Sequence, residues 1–185
     1  AGSQLFMDYD DQEQERGITI YSANVSMVHE FKDDKFLINL IDTPGFDDYA
    51  GEVAASIHVA DAGIVVINAQ NGIEVGTEIG CRYAEKENKP LVYFINKMDV
   101  ENADFDESVQ SVKDTFGGSA TVFQYPVNQG AQFDSIIDLV TMKMYKFTDG
   151  EKPEILDIPD SEQSKAEELR NELVESIAES DEELM

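Results

Sequence analysis

Residues 36–45 read Phe36-Leu37-Ile38-Asn39-Leu40-Ile41-Asp42-Thr43-Pro44-Gly45. The nearly unbroken apolar run predicts a buried strand that delivers the carboxylate of Asp42 at its carboxyl end. Upstream, residues 18–31 are partly alternating and rich in strand formers, and with a charged turn at residues 32–35 they predict a hairpin. Residues 1–17 are polar and acidic, without an apolar period, and read as a loop. Downstream, helices are expected over residues 49–60, 75–88 and 104–116, interleaved with buried strands over 63–68 and 91–95. Val75, Ile79 and Tyr83 mark the apolar side of one helix. Phe105, Val109, Val112 and Phe116 mark that of another, which Gly117-Gly118 stops. Strand and helix in turn imply an α/β fold, a mostly parallel sheet flanked by helices, with ligands gathered beyond the carboxyl ends of the strands.

Past a strand expected over residues 121–127 the pattern changes. A loop at 128–134 leads into two short strands, or a helix, within 135–147. Pro153 and Pro159 bracket an extended link, and residues 161–178 form an amphipathic helix with Leu169, Leu173 and Ile177 inward. This α+β portion, residues 128–185, is expected as a subdomain apart from 1–127, with a frayed end from residue 179.

Composition bounds the function. The chain has 185 residues, 42% of them hydrophobic, which supports a packed core. Its 39 acidic and 13 basic side chains give a net charge of −26, and no basic patch interrupts the excess, which argues against general nucleic-acid binding. Charge shifts further near Asp149: residues 149–185 hold 14 acids and 3 bases. No apolar run approaches the ~20 residues of a membrane span, and no signal peptide is recognisable. Cys81 is the single cysteine, so no internal disulfide forms and a cytoplasmic location is expected. His29 and His58 read as packing residues, and no spacing suits zinc.

Three polar clusters carry chemistry. Asp42 can hold Mg²⁺, directly or through water, because that hard ion takes oxygen ligands and keeps several waters. Gly45 lets its amide approach an anion closely, so Asp42-Thr43-Pro44-Gly45 suits a terminal phosphate; a plain proline turn is the alternative. In Asn96-Lys97-Met98-Asp99, ionised Asp99 offers two acceptor oxygens that match the N1–H and N2-amino donors of guanine, whereas adenine presents an acceptor at N1. Asn96 can reach the other edge of the base and the aliphatic stem of Lys97 can cover the ring; a solvated polar loop is the bland reading. In Arg16-Gly17-Ile18-Thr19-Ile20, the Thr19 hydroxyl can complete a magnesium shell, or Thr19 can be an ordinary β-branched strand residue.

Together with Asp8 and Gln12-Glu13-Gln14-Glu15, these clusters resemble the nucleotide-binding domain of translational GTPases of the elongation factor G type, over nearly the whole chain. The resemblance implies a P-loop NTPase-type fold, with Thr19 and Asp42 as magnesium ligands and Gly45, Asn96, Lys97 and Asp99 on the nucleotide. It implies GTP and Mg²⁺ as cofactors, the ribosome and its stalk protein as partners, and translocation as the activity of the parent protein. The stretch from Gln124-Tyr125-Pro126-Val127 through Ile137-Asp138-Leu139-Val140 to Met142-Lys143-Met144-Tyr145 resembles the insertion inside that domain.

Two departures stand out. The phosphate-cradling Gly-x-x-x-x-Gly-Lys-Ser/Thr loop is absent: none of the 12 glycines precedes a lysine. In the family it lies upstream of Asp8, so the chain is expected to be a piece of a larger protein, lacking the first strand and the P-loop, with the loop that backs guanine beyond Met185. Residues 36–41 and 63–68 should then pair directly, be bridged by another chain, or be distorted. Secondly, Phe46 stands where the family has a histidine that positions the attacking water. Phenylalanine cannot hydrogen-bond, so no catalytic residue is assigned and hydrolysis is expected to be slow or absent unless Asp47, Asp48 or a ribosomal group substitutes. The alternatives are a non-hydrolysing, nucleotide-gated ribosome-binding module and a stalk-protein interaction module.

Overall fold

The computed structural model describes residues 7, 9–117, 120–148 and 152–180. Asp8, Gly118, Asp149 and residues 181–185 lie outside them. The chain forms two compact units: Ala1–Val66 with Glu74–Phe94, and Ile67–Ile73 with Ile95–Met185.

In the first unit, the segment expected as a loop contains a helix, α1 (Asp11–Arg16). Asp10 caps its start by accepting from the Gln12 amide at 2.8 Å, the Glu13 side chain returns to the Asp10 amide, and Gly17 ends it at φ 64°. Six polar residues leave no apolar period to read; their caps hold them. β1 begins only at Ala23 (Ala23–Phe31), because the amides before it are bonded to side chains rather than to a neighbouring strand. It pairs antiparallel with β2 (Asp34–Asp42) through the short turn at Lys32, where φ is 55°.

That hairpin is where expectation and structure part. Leu37 is 67% exposed, and Phe36, Ile38 and Leu40 are exposed too, so residues 36–41 form a strand but not a buried one. The physical reason is topological: β1 and β2 make a two-stranded sheet, with no further strand bonded to either among the described residues. Two strands alone cannot bury a face.

The alternating pattern follows. A single turn at Asp47–Tyr49 leads into α2 (Ala50–Val59). β3 (Gly63–Asn68) and β4 (Leu91–Asn96), each running from the first unit into the second, form a second sheet. Gly63 N–H to Pro90 C=O and Ala69 N–H to Asn96 C=O, both 3.0 Å, run in the same order, which makes the pair parallel. Among the described residues parallel pairing is confined to this sheet; the others are antiparallel. Ile64 and Val66 of β3 remain exposed, again contrary to a buried strand. α3 (Val75–Lys86) packs on α2 where Gly80 faces Val53. Its buried positions are Cys81 and Ala84 rather than Val75, which is exposed. Burial pushes the Cys81 thiol up, and Tyr93 of β4, bonded to it, is pushed up to about 12, chiefly by burial. Both histidines are exposed, and His58 pairs with Glu87 at 3.3 Å, so neither packs in a core.

The second unit holds the best-packed core. α4 (Phe105–Phe116) starts on Asp104, which accepts from the Glu107 amide at 2.9 Å. β5 (Gln124–Pro126), β6 (Ser135–Asp138), β7 (Lys143–Lys146) and β8 (Glu154–Leu156) form one antiparallel sheet in that order. β8 adds a strand inside the expected proline-bracketed link. Ile137 sits opposite both Tyr125 and Met144, and with Leu139 and Ala166 these residues close the core beneath α5 (Asp160–Ser180). Leu169 and Leu173 pack inward as their spacing implies, but Ile177 is exposed. Arg170 of α5 donates to the carbonyls of Leu139 and Val140, fastening helix to turn. No described helix is long and apolar enough to cross a membrane.

Ile137 has no exposed surface, so Ile137→Ala is expected to cost about 2–5 kcal/mol in urea unfolding followed by circular dichroism. Leu37→Ala, on the open ribbon, should change stability by no more than about 0.5 kcal/mol. Equal costs would mean that the ribbon is covered.

Candidate functional site

β2 delivers Asp42, and the chain then turns through Thr43, Pro44 and Gly45. Asp42 and Thr43 are half-buried, Pro44 is buried and Gly45 is exposed. The turn is seated on the start of α3: a Cβ at Gly76 would collide with the Gly45 carbonyl oxygen. Glycine is needed at 76 for this close approach. Phe46 follows, 55% exposed, with its carbonyl taken by the Tyr49 amide at 3.0 Å.

Thr19 lies between α1 and β1 and is half-buried, next to buried Ile20. This segment carries no ladder of its own and is held by carboxylates. Glu13 is only 2% exposed. Its Oε1 accepts from the Ile20 amide at 2.8 Å and the Tyr21 amide at 2.9 Å, and its Oε2 from the Asp10 amide at 3.0 Å. The Tyr21 amide, then those of Ile20 and Asp10, hold the Glu13 carboxyl below its ordinary value against the opposing effect of burial. Glu52, on α2, accepts from the Ser22 amide at 3.0 Å, and Ser56 one turn on donates to the Ser22 hydroxyl at 3.1 Å.

The second unit carries Asn96 as the last residue of β4, with Lys97 and Asp99 on the loop that follows. All three are exposed, while Met98 between them is buried against Ala69 and Ala103. Lys97 has φ 61°, a left-handed conformation that costs a non-glycine residue about 1–3 kcal/mol. The loop is braced to sustain it: the Lys97 carbonyl accepts from Val100 at 3.3 Å, and the Met98 carbonyl from Gly130 at 2.7 Å. Gly130, at φ 73°, sits in a loop tied by paired Asn128–Asp134 hydrogen bonds of 3.1 Å, and Gln129 accepts from the Phe105 amide at 3.1 Å.

The donor set has a definite chemistry. Thr19 and Asp42 offer a hydroxyl and a carboxylate, and no three His, Cys, Asp or Glu residues cluster as a metal site among the described residues. Sparse hard-oxygen donors fit Mg²⁺, which keeps much of its shell as water and substrate oxygens, and do not fit structural zinc. The structure places Asn96, at the end of β4, with Lys97 and Asp99, just past it, in the second unit, and Thr19, Asp42 and Gly45 in the first. Sequence reasoning missed Glu13, Glu52, Gly76 and Gly130 as supports. The Asp10-x-x-Glu13 capping pattern could have revealed the first; the others carry no local signal.

A family model described as the elongation factor Tu GTP binding domain matches residues 1–181. Among solved structures, the chain is similar to a crystal structure of a protein from Thermus thermophilus. The two are 26% identical with a TM-score of 0.85, and the match covers 96% of this chain and 26% of that one. The chain thus spans about a quarter of the length of the structure it matches.

Two outcomes follow from the geometry. Gly76→Ala should displace the Pro44–Gly45 turn, read as amide shifts at Gly45 and Phe46; unchanged shifts would contradict the close approach. Glu13 has a depressed folded-state pKa, so its contribution to stability is present above its ordinary value of 4.5 and is lost as pH falls through the folded value. A carboxyl-carbon NMR titration should place the Glu13 midpoint below 4.5, and a midpoint above it would refute the amide contacts.

Proposed function

The chain belongs to the elongation factor Tu GTP-binding domain family, and from that premise we propose that it is the guanine-nucleotide-binding part of an elongation factor G-like protein that promotes translocation on the ribosome. The observation that carries the reading is the Asn96–Asp99 loop, where three polar side chains stand out and Met98 is sunk as an anchor. Asp99 accepts from the N1–H and N2 amino group of guanine, Asn96 serves the opposite edge of the base, and the Lys97 stem covers its face.

At the phosphate end, Thr19 and Asp42 would hold Mg²⁺, which when bound neutralises charge on phosphate oxygens. The Gly45 amide would donate to the terminal phosphate. Residues 1–127 supply this machinery in the proposal, and the acidic 128–185 portion is an insertion. α5, with seven acids against two bases, gives the insertion a negative face suited to a ribosomal stalk protein. The apolar exposure of β2 and β3 supports a strand of the same protein lying against them in the complete domain. The cytoplasm is the working location, in keeping with the lone, buried Cys81.

Phe46 favours a second reading within the same family. Exposed and unable to hydrogen-bond, it cannot orient a water, so nucleotide binding would gate ribosome association with little or no turnover.

In the natural full-length protein, Asp99→Asn should weaken fluorescent GTP binding at least about tenfold and improve binding of the xanthine analogue, whose C2 carbonyl accepts where guanine donates. Unchanged preference would remove Asp99 from base reading. With ribosomes present, Phe46→His should raise phosphate release; normal turnover without the substitution would end the non-hydrolysing reading.

A further inference from the structure

The carboxylates around Thr19 invite a specific role. Glu13 is the only charged side chain buried among the described residues, yet none of the described ion pairs reaches it or Glu52. Its negative charge is balanced instead by backbone amides. The Glu13 carbonyl also accepts from Gly17 at 2.8 Å and Ile18 at 3.3 Å, so main chain and side chain of one residue collect the amides on both sides of Thr19. Glu52 takes the next amide, Ser22. Three consecutive amides, at Ile20, Tyr21 and Ser22, are therefore assigned to two carboxylates from different helices, and β1 can extend no further toward Thr19. Charge-assisted bonds of this kind are stronger than neutral ones, and removing the acceptor leaves buried donors unpaired.

Resting on the function proposed above, we propose that Glu13 and Glu52 are positioning residues for Thr19, a two-carboxylate clamp that fixes the Ile18–Ser22 backbone and joins it to α2, the helix following the Asp42–Phe46 loop. Neither residue touches nucleotide. Glu13 sets where the Thr19 hydroxyl is presented, and Glu52 makes that position depend on α2. A movement of the Asp42–Phe46 loop that carried α2 would thus be felt at Ser22 first.

The two oxygens of Glu13 give the clamp an asymmetric signature. In Glu13→Gln the amide oxygen can still accept from Ile20 and Tyr21, but the NH₂ then faces the Asp10 amide, donor against donor. Hydrogen exchange should therefore find Ile20 and Tyr21 still protected and Asp10 exposed in Glu13→Gln. In Glu13→Ala, Ile20 and Tyr21 should exchange at least about tenfold faster, while the amides of α4 and α5 stay unchanged. Glu52→Ala should release Ser22 alone. If Glu13→Ala fails to fold, the Gln variant decides.

The functional arm uses a fluorescent non-hydrolysable GTP analogue and fluorescent GDP, each with Mg²⁺, on the natural full-length protein. Glu13→Ala should reduce the preference for the triphosphate about tenfold with a far smaller change for the diphosphate, and Glu13→Gln should keep most of it. Equal weakening for both nucleotides, or loss of protection at Ile20 and Tyr21 in the Gln variant, overturns the clamp. If the unsubstituted protein binds neither nucleotide, the function proposed above fails, and exchange at Ile20 and Tyr21 still decides the clamp: unchanged rates in Glu13→Ala overturn it, accelerated rates sustain it.

Discussion

Backbone amides that leave regular structure must still find acceptors, and in this chain that requirement decides where the loops run. Ahead of β1 the acceptors are carboxylates, Glu13 and Glu52. Past β4 the roles reverse: the Met98 carbonyl is the acceptor and Gly130, from a distant loop, brings the donor. In each place a bond between residues far apart in sequence fixes a segment that local propensity leaves undetermined. Thr19 and Asp99 lie on such segments. Their placement is thus a property of the fold around them and not of the short motifs that contain them.

The legibility of the sequence follows the same division. Helices α2, α3 and α4 and strands β3 and β4 are readable because hydrophobic periodicity and short apolar runs are local signals, and Asp104 and Gly117 mark the ends of α4. The positions of the polar loops are readable because Asp42 ends one apolar run and Asp99 lies just past another. What cannot be read for β2 and β3 is burial. An apolar run such as residues 36–41 reports what a strand could cover, whereas exposure depends on which strands actually pair with it. α1 escapes a reading by periodicity because its stability comes from Asp10, Glu13 and Gly17 rather than from an apolar face. β8 escapes it because three residues between prolines give no alternation to detect.

The second unit makes the contrast concrete. Tyr125 is buried in the sheet, donates its hydroxyl to Glu162 at 3.2 Å, and lies under the Lys165 ammonium at 4.9 Å, while Lys165 reaches Asp106 at 3.6 Å. Burial first, then the Glu162 charge, pushes the Tyr125 phenol up, so it remains a neutral donor. Tyr125 therefore links β5 to α5, Lys165 carries the contact on to α4, and the acidic helix is oriented by contacts on its inner side. Its outer side is left free to carry negative charge.

The open hairpin has a further consequence for how the polypeptide behaves in bulk. Among the described residues no strand pairs with the outer edge of β2, and in that state its central residues combine backbone hydrogen-bonding groups with exposed apolar side chains and no proline. The opposing force is mutual repulsion between copies that carry a formal −26 each. Repulsion of that kind reaches only a Debye length, about 10 Å in 0.1 M salt and 3 Å in 1 M. Colloidal behaviour should accordingly be set by ionic strength: dispersed in dilute buffer, and increasingly cohesive as counter-ions screen the acidic surface.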